Sequence, residues 1–190
     1  MELVFTVMDM FQNTQFTPNN EFKKGLYVNA TTPPGPAAEG ARIPVWEMRQ
    51  GSSLDTVSIE FKMPNSYVPL TPITVEVHVL LQRTPNDPPV SGNIQLRLRA
   101  DWHGNGEQWG AGTANTDYEQ VVLSAVTAVT EPTGSASFLS ARHYRLTFTL
   151  PGTFANPGDW ALLSFDRLDL GDADYQDSIY LGAASLRYSV

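Results

Sequence analysis

Cysteine is absent from the 190 residues, so disulfides are impossible and cysteine-based zinc sites are excluded. Charge is scarce as well: Asp, Glu, Lys and Arg make up 17% of the chain, against roughly 25% in ordinary soluble domains. Basic residues are the scarcer kind, 12 against 20 acidic ones, which sets the formal charge at −8 and the pI near 4.7. No basic cluster exists, so binding through phosphate neutralisation is not expected and nucleic acid is set aside as a partner. No apolar run approaches the roughly 20 residues of a membrane span, and no membrane partner is expected. The first residues, Met1 to Asp9 (MELVFTVMD), lack a basic n-region and a small-residue cleavage site, so no signal peptide is expected. Lysine is nearly missing too, three against nine arginines. Arginine suits bidentate, partly covered pairing better than lysine does, which leans toward contact surfaces.

What the chain does have is 14 glycines, 14 prolines and 42% apolar residues, enough for a core with many turns. Its dominant pattern is an alternation with a period of two. Val57, Ile59, Phe61 and Met63 alternate with Ser58, Glu60 and Lys62. Ile73, Val75, Val77, Val79 and Leu81 stand opposite Thr74, Glu76 and His78. Ile94, Leu96, Leu98, Ala100 and Trp102 oppose Gln95, Arg97, Arg99 and Asp101; Tyr144, Leu146, Phe148 and Leu150 oppose Arg145, Thr147 and Thr149. One wet and one dry face mean half-buried antiparallel strands. Further strands are predicted over 3–8, 25–29, 43–48, 160–167 and 178–188. The segment 118–129 fits a helical stripe as well as a strand, and its β-branched content favours the strand.

Turn formers punctuate these runs: Pro64-Asn65-Ser66, Pro69 to Pro72, Pro85 to Pro89, Glu131 to Gly134 and Asn156 to Asp159. The predicted architecture is one all-β domain over 1–190, a jelly-roll-like antiparallel β-sandwich of about 8–10 strands. An immunoglobulin-type sandwich is the runner-up, without its Cys–Trp–Cys core. A Pro-rich connector over 31–42 is read as unable to join a ladder, because proline donates no hydrogen bond. A Gly-rich stretch over 103–117 reads as a long exposed loop.

Motifs for catalysis are missing. No nucleophile elbow, phosphate-cradling Gly-Lys loop or His-Glu-x-x-His occurs, and the three histidines, His78, His103 and His143, form no His-x-His pair. They read as surface histidines; no enzyme and no cofactor are expected. Six aspartates crowd the 19 residues from Asp159 to Asp177. Asp169, Asp172, Asp174 and Asp177 are the calcium candidates, since hard cations take several carboxylate oxygens from a flexible loop. The plainer account weighs more: aspartates that cap turns and pair with Arg167. Trp102 and Trp160 fit the dry side of their strands and are expected in the core. Trp109, in the glycine-rich stretch, is the candidate for an exposed contact with a sugar or a protein.

Two stretches carry a family resemblance. Leu163 to Arg167, then Asp174-Tyr175-Gln176-Asp177-Ser178-Ile179-Tyr180-Leu181-Gly182, closing in Leu186-Arg187-Tyr188, resembles the final strand pair of virion structural proteins of tailed bacteriophages. Val57 to Pro64 followed by Tyr67-Val68-Pro69-Leu70 resembles the same proteins' strand that ends before a Tyr-Val-Pro-Gly turn, with Leu70 in place of the glycine. The resemblance implies a non-enzymatic β-sandwich that assembles in the virion from the host cytoplasm. Its most direct form is a capsid cement or decoration protein, bound to the major capsid protein on the outside of the head and to itself as a dimer or trimer. The alternative is a tail- or fibre-associated carbohydrate- or receptor-binding module.

Overall fold

The computed structural model describes residues 1–6, 10–12, 26–28, 41–43, 45–49, 56–83, 88–104, 119–132 and 140–190. Fourteen strands run through them: β1 (Glu2–Thr6), β2 (Met10–Gln12), β3 (Leu26–Val28), β4 (Ala41–Ile43), β5 (Trp46–Met48), β6 (Val57–Lys62) and β7 (Ile73–Arg83). They continue as β8 (Ser91–Ile94), β9 (Leu96–His103), β10 (Glu119–Leu123), β11 (Thr127–Thr130), β12 (Ser140–Leu150), β13 (Trp160–Arg167) and β14 (Ile179–Arg187). Among the described residues no helix is long and apolar enough to cross a membrane.

Ten of the strands form two five-stranded antiparallel sheets. Sheet I has the order β1-β14-β7-β12, with β5 pairing along the same edge of β14 as β1. Sheet II has the order β10-β9-β13-β6-β2. From β6 onward the chain changes sheet at each long connection: β6 in II, β7 in I, β9 in II, β12 in I, β13 in II and β14 in I. That weaving makes a jelly-roll-like sandwich, and it is the arrangement the alternation predicts.

The dry faces meet in one core. Ile73, Val75, Val77, Val79 and Leu81 of β7 and Leu146, Phe148 and Leu150 of β12 face Val57 and Ile59 of β6, Leu96, Leu98 and Ala100 of β9 and Leu163 and Phe165 of β13, all buried. Two aromatic contacts span the gap between sheets: Phe148 with Phe165 at 5.9 Å and Phe5 with Phe61 at 5.3 Å between ring centroids. Each such pair adds about 0.5–1.5 kcal/mol to its burial. Trp102 is buried as expected, edge-on to Phe61, and its indole N–H donates to Gln120 Oε1 at 3.3 Å.

Several expectations need correcting. Trp160 is 46% exposed instead of buried, because Ala161, Leu163 and Phe165 take the inward positions of β13 and place Trp160 on the outer face beside Lys62 and His103. The run 93–102 is two strands, since Gln95 leaves the ladder while the apolar alternation continues from Ile94 to Leu96 without a break. The ambiguous segment is likewise two strands, β10 and β11, parted at Ser124. Gln95 and Ser124 fasten the two breaks together: Gln95 Nε2 donates to Ser124 O at 2.9 Å, and the Leu96 amide donates to Ser124 Oγ at 3.1 Å. Of the connector 31–42, residues 31–40 lie outside the described residues. Ala41 and Arg42, however, pair with Val28 and Tyr27, because past the last proline every residue again has an amide to donate. Of the stretch 103–117, all but His103 and Gly104 lies outside the described residues.

β14 also changes parity. Ile179 and Leu181 point inward, as do Ala184 and Leu186, with a register shift between Leu181 and Ala183. This bulge leaves Tyr180 outward on one side of it and Ala183, Ser185 and Arg187 outward on the other.

The turn before β7 carries an unfavourable backbone. Leu70 is 73% exposed and sits at φ 63°, the left-handed region that costs a side chain about 1–2 kcal/mol. The turn is held regardless, by Tyr67 Oη donating to Thr71 O at 2.8 Å and Thr71 Oγ1 donating to Val68 O at 2.6 Å. Leu70→Gly is therefore expected to raise the unfolding free energy by about 0.5–1 kcal/mol, the relieved strain less the extra entropy of an unfolded glycine, as a higher midpoint in urea.

Candidate functional site

The alternation that buries Ala161, Leu163 and Phe165 continues to Arg167, so β13 ends by driving a guanidinium into the rim of the core, 1% exposed. A buried cation must be paired. Asp174, fully buried, supplies the carboxylate at 3.3 Å, while the backbone oxygens of Tyr175 and Asp177 accept two further bonds, the latter at 2.6 Å. The guanidinium also lies over the Tyr175 ring, 5.8 Å from its centroid. Breaking such a pair from one side costs about 3–5 kcal/mol, because the remaining charge stays buried.

Arg167 thereby holds the segment that carries the chain from sheet II to sheet I, and Tyr175 passes the hold onward. Its amide donates to Asn93 O at 2.9 Å, and its hydroxyl donates to Glu131 Oε1 at 2.6 Å. Glu131 Oε2 accepts the Val90 amide at 3.0 Å. Gly92 makes this approach possible: a Cβ there would stand 2.5 Å from Tyr175 Cα.

Above this network opens a pocket of about 350 Å³, lined by Gln82, Pro88, Val90, Glu131, Asp177, Ser178 and Tyr180. Among the described residues of the lining, the charged groups are carboxylates. Gln82 and Ser178 add neutral hydrogen-bonding groups, and Tyr180 adds an aromatic wall at the border with the outer face of sheet I. Burial, with the charges of Glu47 and Asp177 second, pushes the Tyr180 hydroxyl up to about 12, so it stays a donor at neutral pH. Burial and its bond to Glu131 push the Tyr175 hydroxyl still further above the ordinary tyrosine range.

The outer face of sheet I leads away from this pocket. Glu2, Arg187, Glu76 and Arg145 form a chain of ion pairs across β1, β14, β7 and β12, with N···O distances of 3.2, 3.1 and 3.7 Å. Further along the face His78 Nδ1 and His143 Nε2 lie 2.6 Å apart. On the outer face of sheet II, Asp166 is buried beneath Arg97 and Arg99, at 3.0 and 3.3 Å, and accepts Thr56 Oγ1.

The calcium candidates do not converge. Asp174 is spent on Arg167, Asp169 Oδ1 accepts the Gly171 amide at 2.8 Å as a turn cap, Asp172 lies exposed in a 3-10 turn over Gly171–Ala173, and Asp177 lines the pocket. Among the described residues no group of three or more His, Asp or Glu is placed to hold a metal. Trp109 lies outside the described residues. Sequence reasoning singles out Asp177 alone of the pocket lining. Glu131 reads as part of a turn, and Gln82 and Tyr180 as ordinary strand residues, because nothing local marks which strand ends meet.

No family model matches the chain, and no curated protein matches it. Among solved structures, the CBM22-1 and GH10 modules of endo-1,4-β-D-xylanase 10B from Clostridium thermocellum, complexed with xylohexaose, align over 98% of this chain. The match spans 27% of that chain, at 12% identity and a TM-score of 0.43. The CBM22-1 xylan-binding domain of Paenibacillus barcinonensis Xyn10C aligns over 98% of this chain and 92% of its own, at 11% identity and a TM-score of 0.39. A chain of the T13 IBDV viral particle aligns over 98% of this chain and 30% of its own, at 13% identity and a TM-score of 0.31. At such identities and TM-scores these likenesses carry no functional argument.

The raised tyrosines fix an alkaline limit. Their folded pKa lies above the unfolded value near 10.0, so their contribution is complete below that pH and is lost as pH rises toward about 12. Of the seven tyrosines, Tyr175 and Tyr180 are expected to ionise late in a titration of tyrosinate absorbance. Tyr180→Phe is expected to make the melting temperature fall less steeply over that range.

Proposed function

We propose that this chain is a non-catalytic β-sandwich recognition module that takes a neutral, hydroxyl-rich ligand, a carbohydrate, in the pocket beside Tyr180. The observation that carries the reading is the make-up of that pocket. Glu131, Asp177, Gln82 and Ser178 supply acceptors for hydroxyl groups, Tyr180 a ring face, and Pro88 and Val90 apolar surface for sugar C–H groups. Among the described lining residues there is no cation to favour phosphate or carboxylate. The Arg167–Tyr175–Glu131 network fixes the floor before any ligand arrives, which lowers the ordering cost of binding. In the context of the virion resemblance, such a module serves on a tail or fibre as the part that meets a host glycan.

A second reading rests on a different surface. Val121, Leu123 and Val126 are each more than half exposed at the edge of sheet II, with Arg97, Arg99 and Trp160 on the same outer face. Exposed apolar residues beside Arg and Trp favour a protein interface. They support capsid cement, with the major capsid protein and a second copy of this chain as partners and the virion, assembled in host cytoplasm, as location.

One pair of measurements separates the readings. A glycan array followed by calorimetry is expected to find a saccharide whose affinity falls at least tenfold in Tyr180→Ala and in Gln82→Ala, and is unchanged in Val121→Asp. Absence of any glycan, together with co-sedimentation with capsids that Val121→Asp abolishes, would overturn the first reading in favour of the second.

A further inference from the structure

His78 and His143 face the same side of sheet I from neighbouring strands. They are not directly opposite: Arg145 is the register partner of His78, and Leu80 that of His143. The diagonal brings His78 Nδ1 and His143 Nε2 to 2.6 Å, with ring planes 11° apart and centroids 4.8 Å apart. That centroid separation is close to the N···N distance plus the two centre-to-nitrogen radii. The rings therefore meet edge to edge in nearly one plane, as an N–H···N hydrogen bond, and do not stack face to face. One imidazole donates and the other accepts, so the facing nitrogens point their bonding directions at each other across the gap between the strands.

The scaffold beneath is stiff. β7 and β12 are in continuous register over eleven residue pairs, from Ser140 opposite Arg83 to Leu150 opposite Ile73. Their inward side chains are locked in the core, while the two imidazoles stand on the surface, His78 half-buried and His143 exposed. Only side-chain torsions need change to alter the gap between the nitrogens. The charges along the face are paired in a chain: Arg145 reaches Glu76 at 3.7 Å, Glu76 is shared with Arg187 at 3.1 Å, and Arg187 reaches Glu2 at 3.2 Å.

We propose that His78 and His143 form an open two-imidazole site for a first-row divalent metal ion, with Cu²⁺ held most tightly. Metal–imidazole bonds of about 2.0–2.1 Å at a cis angle need the nitrogens about 2.9–3.4 Å apart, so the rings part by a few tenths of an ångström or slightly more and each turns by roughly 35–45° off the line that joins them. The proton of the N–H···N bond moves through solvent to the opposite nitrogen of its own ring, which frees both facing lone pairs for the ion. Water completes the coordination, because the described residues bring no third protein ligand to the pair. Neutral imidazole suits Cu²⁺, Ni²⁺ and Zn²⁺, and the Irving–Williams order places Cu²⁺ first among them. The site is distinct from the pocket beside Tyr180 and does not depend on the ligand proposed there.

Titration of the full chain with Cu²⁺, followed by calorimetry and electron paramagnetic resonance, tests this. The expected result is one equivalent bound with two-nitrogen coordination, Ni²⁺ and Zn²⁺ competing more weakly. His78→Ala, His143→Ala and the milder His143→Gln should each weaken Cu²⁺ binding at least tenfold while leaving the melting temperature of the metal-free protein close to that of the parent chain. His103→Ala, on sheet II, should leave binding intact. No stoichiometric binding, or binding of equal strength in His143→Gln and the parent chain, would overturn the proposal.

Discussion

The structure turns on a buried positive charge. Arg167 occupies the position where the inward alternation of β13 would place an apolar residue, and a guanidinium taken out of water needs acceptors for its charge. The answer comes from the carboxylate of Asp174 and the carbonyl oxygens of Tyr175 and Asp177, all in the segment that follows β13. An irregular crossover is thus held as firmly as a strand. Tyr175 extends the hold to Glu131, just past β11, and to Asn93, within β8, so one strand end fixes the meeting of several others. A hydrophobic residue in place of Arg167 would fill the rim, but it would specify none of these directions.

The proposed ligand chemistry rests on that arrangement. A pocket floored by charge-assisted hydrogen bonds keeps its shape when empty, and its walls combine acceptors with apolar surface. The two outer faces differ in kind. That of sheet I is polar and tied by ion pairs across four strands, whereas that of sheet II ends in exposed Val121 and Leu123 beside arginines and Trp160. Under the two proposed readings, the recognition end and the adhesive side would lie on separate parts of one molecule.

Much of the sandwich is legible in the sequence because one wet and one dry face leave a period-two record, clearest in β6, β7, β9 and β12. The plainer account of the aspartates is legible too: Asp169 caps its turn and Asp174 pairs with Arg167. What is not legible depends on register. Trp160 and Leu163 look alike as apolar strand residues, and only the ladder with β6 and β9 decides which is inside. The break at Gln95 is silent because Ile94 and Leu96 stay in phase across it. His78 and His143 look like unrelated surface residues, since 65 positions separate them and a cross-strand diagonal joins them. The pocket is hidden for the same reason: its lining comes from four separate stretches of chain.

The pairing of β1 with β14 has a consequence in time. Glu2 stands opposite Arg187 and Thr6 opposite Ala183, so the first strand waits for a partner made some 180 residues later. At the roughly 5–20 residues per second of synthesis, that wait is on the order of ten to forty seconds. For this interval sheet I lacks the strand that joins β1 and β5 to β7, and the backbone edges of all three that β14 pairs are left open. Folding of this sandwich is therefore a late event, gated by the emergence of β14, and it is in this window that the nascent chain is most open to capture by chaperones or by its own neighbours.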